Sequence, residues 1–123
     1  MYNILVCDDE KDIVSALKIY LESDGYKVFT AFNGKEAIEI AETQEIHLIL
    51  LDIMMPVMDG IEAAKTIRHL EREDAAEIPI IALSANVYTE DVAASSAAGM
   101  NGHLSKPINF DTLCKTVYNA AKK

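Results

Sequence analysis

Five short strand-like runs, each leading into a stretch with helical spacing, limit the possible folds of this chain more than any other feature. Tyr2–Cys7, Lys27–Ala31, Ile46–Leu51, Ile78–Leu83 and Gly102–Ser105 read as strands. The first is followed by Lys11–Ser23, where Val14, Leu17 and Leu21 recur on one helical face, and Gly25 stands where a left-handed C-terminal cap needs a glycine. Asn33, with Glu36 three residues on, predicts a capping-box start to a helix running to about Thr43. Asp59 and Glu62 repeat that spacing ahead of Ile61, Ala64 and Ile67. Thr89 predicts the cap of an Ala/Ser-rich helix ending at Gly99, and a last helix starts near Asn109 with Leu113 and Val117 facing inward.

Strands that each lead into a helix imply a parallel sheet with helices on both faces. The first, third and fourth strands support this because they are nearly continuous in apolar residues: Ile46–Leu51 is interrupted only by His47. A sheet with one wet face would alternate instead. At 123 residues the chain is too short to close an eight-stranded barrel. The expected fold class is α/β, a doubly wound five-stranded parallel sheet of flavodoxin-like (βα)5 type with strand order 2-1-3-4-5. No linker-like stretch or repeat divides residues 1–123, so one domain is expected, with no output domain after Lys123.

Charge and composition exclude several functions. Twenty acidic against 11 basic residues give −9, which repels a phosphate backbone or an anionic membrane surface, so no direct nucleic-acid or membrane binding is expected. No apolar run reaches the length of a membrane span, and Tyr2–Cys7 runs into acids rather than a cleavage site. The expectation is a cytoplasmic domain whose two cysteines, Cys7 and Cys114, are reduced, buried hydrophobes rather than a disulfide. The three histidines, His47, His69 and His103, are too scattered for a zinc site. The turn after the first strand, Asp8-Asp9-Glu10-Lys11, has neither the glycines nor the charge of a nucleotide loop.

In a doubly wound sheet, chemistry sits outside the carboxyl ends of the strands, near the switch in strand order. Strand 1 ends in Asp8-Asp9-Glu10, strand 3 in Asp52, strand 4 in Ser84 and strand 5 in Lys106. Taken singly, each has an ordinary reading: acids cap helices, Asp52 begins a turn, Ser84 is an ordinary serine and Lys106 a solvated surface residue. Met54, Met55 and Met58 read as packing, and Glu71–Asp74 as a solvated segment. Their coincidence at one sheet edge favours a site. Carboxylates about 4 Å apart repel by roughly 4 kcal/mol at an effective dielectric of about 20. Lys106 and a divalent metal are the two candidates to offset that. An all-oxygen site with few protein ligands suits Mg²⁺, which with Lys106 would balance Asp8, Asp9 and Asp52.

Over about residues 2–121 the chain resembles a response-regulator receiver domain, the phosphoacceptor of two-component signalling. The resemblance rests on Asp8-Asp9-Glu10, the segment from Leu51 through Asp52 to Asp59-Gly60, Ser84-Ala85 and Lys106-Pro107. It implies that Asp52 takes a phosphoryl group from a histidine kinase or a histidine phosphotransfer protein, as nucleophile, giving an acyl phosphate. It further implies Mg²⁺ held by Asp9, Asp52 and the Met54 backbone carbonyl, with Asp8 acting through water. Lys106 would neutralise phosphoryl oxygens, Ser84 would hydrogen-bond the new group, small Ala85 would leave it room, and Pro107 would follow a cis peptide bond. The family usually carries Tyr or Phe three residues before the lysine; His103 stands there, as the counterpart of that switch residue. The face made by the fourth helix, fifth strand and last helix is the expected surface for dimerisation. Such a domain is a switch that catalyses its own phosphorylation and dephosphorylation rather than a turnover enzyme. A phosphorelay or hybrid-kinase receiver is the alternative. An aspartyl-nucleophile phosphatase fits less well, because its second acid usually follows the nucleophile by two residues on strand 1.

Overall fold

The computed structural model describes residues 2–53, 58, 60–70, 78–84, 99–106 and 108–121. Among them, β1 (Asn3–Cys7), α1 (Lys11–Ser23), β2 (Lys27–Ala31), α2 (Gly34–Thr43), β3 (Leu48–Asp52), α3 (Gly60–Arg68), β4 (Ile80–Ser84), β5 (Gly102–Ser105) and α4 (Phe110–Ala121) follow one another along the chain. All strand pairs are parallel, in the order β2-β1-β3-β4-β5. The helix expected after Thr89, the Glu71–Asp74 segment and the Asp59 cap lie outside the described residues.

Helix starts follow the side chains that satisfy free amides. Asn33 accepts from the Glu36 N–H at 2.9 Å, and Glu36 turns back to accept from the Phe32 N–H at 3.2 Å, one residue earlier than a standard capping box would place it. Asn109 accepts from the Asp111 and Thr112 N–H groups and so opens α4. Past α1, Gly25 adopts a φ of +92°, which an L side chain disfavours.

The central strands are buried on both faces, so alternate residues feed two cores. Leu5, Cys7, Ile49, Leu51, Ile80 and Ala82 pack with Ala37, Ala41, Ala63, Ala64 and Ile67 of α2 and α3. Ile4, Val6, Leu48, Leu50, Ile81 and Leu83 pack with Val14, Leu17 and Leu21 of α1 and with Leu113 and Val117 of α4. Small alanines let α2 and α3 approach closely; leucines fill the other side.

Two strands are displaced from the apolar runs that announced them. β3 begins at Leu48 rather than Ile46 and extends through Asp52; β4 begins at Ile80 rather than Ile78 and extends through Ser84. Hydropathy marks burial, whereas ladder hydrogen bonds mark the strand. Ile46 and Ile78 are buried lead-ins, Pro79 has no N–H to donate, and pairing continues through Asp52↔Leu83 and Ser84↔Ser105. The displacement puts both polar residues inside the sheet. Cys7 is buried as expected; Cys114 is only half-buried, with Sγ 3.6 Å from Asp24 Oδ2, because it sits beside Leu113 at the margin of the buried face of α4.

Candidate functional site at the carboxyl edge of the sheet

Four chain segments converge where β1, β3, β4 and β5 end. Asp8 follows β1, and its N–H donates to Ala31 O at the end of β2 at 3.2 Å. Asp52 and Ser84 are the last residues of the adjacent strands β3 and β4. Lys106 follows β5, and its N–H donates to Ser84 O at 2.7 Å. The ladder therefore holds the main chain of every member before any side chain interacts.

Burial then makes the electrostatics demanding. Asp8 is fully buried and Asp52 is 2% exposed, while Asp9 faces solvent, yet one carboxylate oxygen of each lies within 4.8 Å of the other two. The Lys106 Nζ lies 2.8 Å from Asp8 Oδ2, 3.4 Å from Asp52 Oδ2 and 3.6 Å from Glu10 Oε1. Burial alone pushes the Lys106 ammonium pKa down, but the contact with Asp8 and the fields of Asp52 and Glu10 outweigh it, leaving the pKa above the ordinary lysine value. Asp8 Oδ1 accepts from the Glu10 N–H at 2.9 Å, whereas Oδ2, apart from its ion pair, makes no hydrogen bond among the described residues. A buried carboxylate oxygen so placed, with an exposed carboxylate beside it and an all-oxygen donor set, fits Mg²⁺.

Backbone proximity shapes the floor of the site. A Cβ on Gly60 would collide with Asp52 O and lie 2.8 Å from the Ile53 Cα, so only glycine allows α3 to start so close to β3. At the rim, a Cβ on Gly34 would lie 2.9 Å from both Cγ and O of Met58. Beneath the acids, burial and then the fields of Asp8 and Asp52 push the Cys7 thiol pKa far up; its Sγ donates to Asn33 O at 3.3 Å. That thiol is a protonated packing group, not a nucleophile.

The structure brings together Asp8, Asp9, Asp52 and Lys106, and ties Ser84 to Lys106 through the main chain. His103 lies opposite Ala82 on the edge strand β5, exposed. Met54, Ala85 and Pro107 lie outside the described residues. Two contributions were not assigned from the sequence: Glu10 approaching Lys106, and Gly60 against the Asp52 carbonyl. The adjacency of Glu10 to Asp8-Asp9 and the Asp59-Gly60 pair were the available signals, but both roles depend on distances between segments far apart in sequence.

The family model described as "Response regulator receiver domain" matches residues 4–118. The alkaline phosphatase synthesis transcriptional regulatory protein PhoP of Bacillus subtilis is 40% identical over 106 residues, covering 86% of this chain and 42% of that protein. This chain thus spans less than half the length of that relative. Among solved structures, the Vibrio cholerae chemotaxis protein CheY4 superposes with a TM-score of 0.92 at 33% identity, covering 98% of each chain. The receiver domain of the sensor histidine kinase PA1611 from Pseudomonas aeruginosa, solved with a magnesium ion coordinated in its active site cleft, gives 0.90 at 33% identity, covering 99% of this chain and 98% of that one.

Proposed function

Because this chain belongs to the response regulator receiver domain family, we propose that it is a phosphorylation-dependent signalling switch whose Asp52 accepts a phosphoryl group from the phosphohistidine of a histidine kinase or histidine phosphotransfer protein. The observation that carries this reading is the Lys106 ammonium, 2.8 Å from Asp8 and 3.4 Å from Asp52 beside the three-carboxylate cluster.

In this reading an Asp52 carboxylate oxygen attacks phosphorus, the donor's P–N bond breaks and its electron pair returns to the imidazole, leaving an acyl phosphate. Lys106 sits where the transferring oxygens gain charge and can neutralise them with little reorganisation. Asp9, Asp52 and the Met54 carbonyl, with Asp8 through water, would hold Mg²⁺, which when bound supplies further neutralisation of the phosphoryl oxygens. The Ser84 hydroxyl would donate to the new phosphoryl group. His103 would replace the aromatic switch residue, Pro107 would place Lys106, and the β5–α4 side would carry output, including self-association. Asp52 can be loaded and unloaded without a separate enzyme, which makes the domain a switch rather than a turnover catalyst, working in the cytoplasm and coupled to an output function. The likeness to the receiver of a sensor histidine kinase supports a second reading, in which the phosphoryl group is passed onward in a relay.

The test is intact-mass measurement after incubation with a small phosphodonor and Mg²⁺. Wild type gains one phosphoryl adduct and Asp52→Asn gains none; an undiminished adduct on the variant overturns the assignment.

A further inference from the structure

We propose that Glu10 is a donor-selectivity residue of this site, an acid at its mouth that disfavours free, highly charged phosphodonors relative to less charged ones. The inference rests on the phosphoacceptor reading of Asp52.

Glu10 occupies the N-cap position of α1 in extended conformation, where a side chain usually accepts from the helix amides, but here it makes no cap hydrogen bond. Its main chain carries that position instead: its N–H donates to Asp8 Oδ1, and its carbonyl accepts from the Ile13 and Val14 N–H groups. The side chain is thereby released to reach over the site, 62% exposed, with Oε1 3.6 Å from Lys106 Nζ. It is not among the three carboxylates close enough to share a metal. The neighbouring Lys11 directs its ammonium over the Phe32 ring, 5.9 Å from the centroid.

The consequence is one of charge. Asp8, Asp9, Glu10 and Asp52 against Lys106 leave three negative charges, and a divalent cation still leaves one. Without Glu10 the sum with the cation is zero. An incoming anion therefore meets a repulsion that scales with its own charge and that salt screens, since Glu10 faces solvent. Glu10 also competes with phosphoryl oxygens for Lys106. Its effect thus falls on the encounter with the donor more than on stability, for an exposed pair of this kind is worth little to the fold.

The experiment compares second-order phosphorylation rate constants of wild type and Glu10→Gln with doubly charged acetyl phosphate and singly charged phosphoramidate, at saturating Mg²⁺, in low and high salt. In each reaction Asp52 forms the O–P bond as acetate or ammonia leaves. At low salt Glu10→Gln should gain roughly three- to tenfold with acetyl phosphate and distinctly less with phosphoramidate, with both gains shrinking at high salt. Equal gains with both donors at both salts, no gain, or a loss each overturn the proposal. Asp52→Asn is assayed alongside: an adduct on that variant refutes the phosphoacceptor reading itself, independently of Glu10.

Discussion

Lys106 is shared among Asp8, Asp52 and Glu10, and the site's stability follows from that sharing. Replacing Lys106 by Met leaves two buried carboxylates uncompensated, at a cost of about 3–5 kcal/mol. The pH dependence has a definite sign. The folded-state pKa of Lys106 is raised above the ordinary 10.5, so its stabilisation is complete below that value and is lost only as pH rises through the folded pKa. In urea melts, the gap between wild type and Lys106→Met should stay constant from pH 7 to 10 and narrow above 10.5; narrowing near neutrality would contradict the raised pKa. Gly60 gives a second test. In an ordinary helix Gly→Ala stabilises by roughly 1 kcal/mol, but here the added Cβ meets Asp52 O and the Ile53 Cα, backbone atoms with nowhere to go. Gly60→Ala should therefore destabilise by about 2–4 kcal/mol and slow phosphorylation. An unchanged melt would show that α3 shifts freely.

Among the elements, α3 is fixed at both ends by unlike means. Its start touches β3 backbone to backbone; its last residue, Arg68, donates to Ile78 O at 2.7 Å, to Gly99 O at 2.6 and 3.0 Å, and to Asn101 Oδ1 at 2.8 Å. The same Asn101 oxygen accepts from the Ile80 N–H, so one guanidinium joins the end of α3 to the entrances of β4 and β5. Burial pushes the Arg68 pKa down from its usual value, while its planar fork of donors matches the carbonyls it meets. Arg68→Met should cost about 2–4 kcal/mol in a urea melt, and Arg68→Lys should recover only part, since an ammonium lacks the fork. Full recovery by lysine would reduce the strut to its charge. The Arg68 strut was not legible in the sequence: a charged residue at the end of an amphipathic helix reads as solvated, and its partners lie 10, 31 and 33 residues away. Helix starts were legible because Asn33 and Asn109 act on amides within three residues. The starts of β3 and β4 were not, because apolar content reports burial: Ile46 and Ile78 are buried ahead of the first ladder pairs.

At the scale of the whole molecule, strand order was readable because parallel topology leaves few choices, and the acids at strand ends then had one place to meet. What pattern alone does not convey is the degree of burial: Asp8 and Asp52 lie inside the sheet edge rather than on it. A cation that binds there binds only the folded chain, so it stabilises by mass action. At tenfold its dissociation constant, Mg²⁺ should add about 1.4 kcal/mol, roughly a 4–7 °C rise in Tm for a domain of this size. Asp9→Ala should shrink the rise; equal responses would place the ion elsewhere.

The hydrogen bond from the Lys106 N–H to Ser84 O joins the residue that would sense a modified Asp52 to the one that would neutralise it. At 2.7 Å that bond has little slack: a displacement of the Ser84 main chain either carries the root of Lys106 with it or breaks the link. Detection and charge balance then share a single mechanical degree of freedom, and a mutation that loosens one blurs the other.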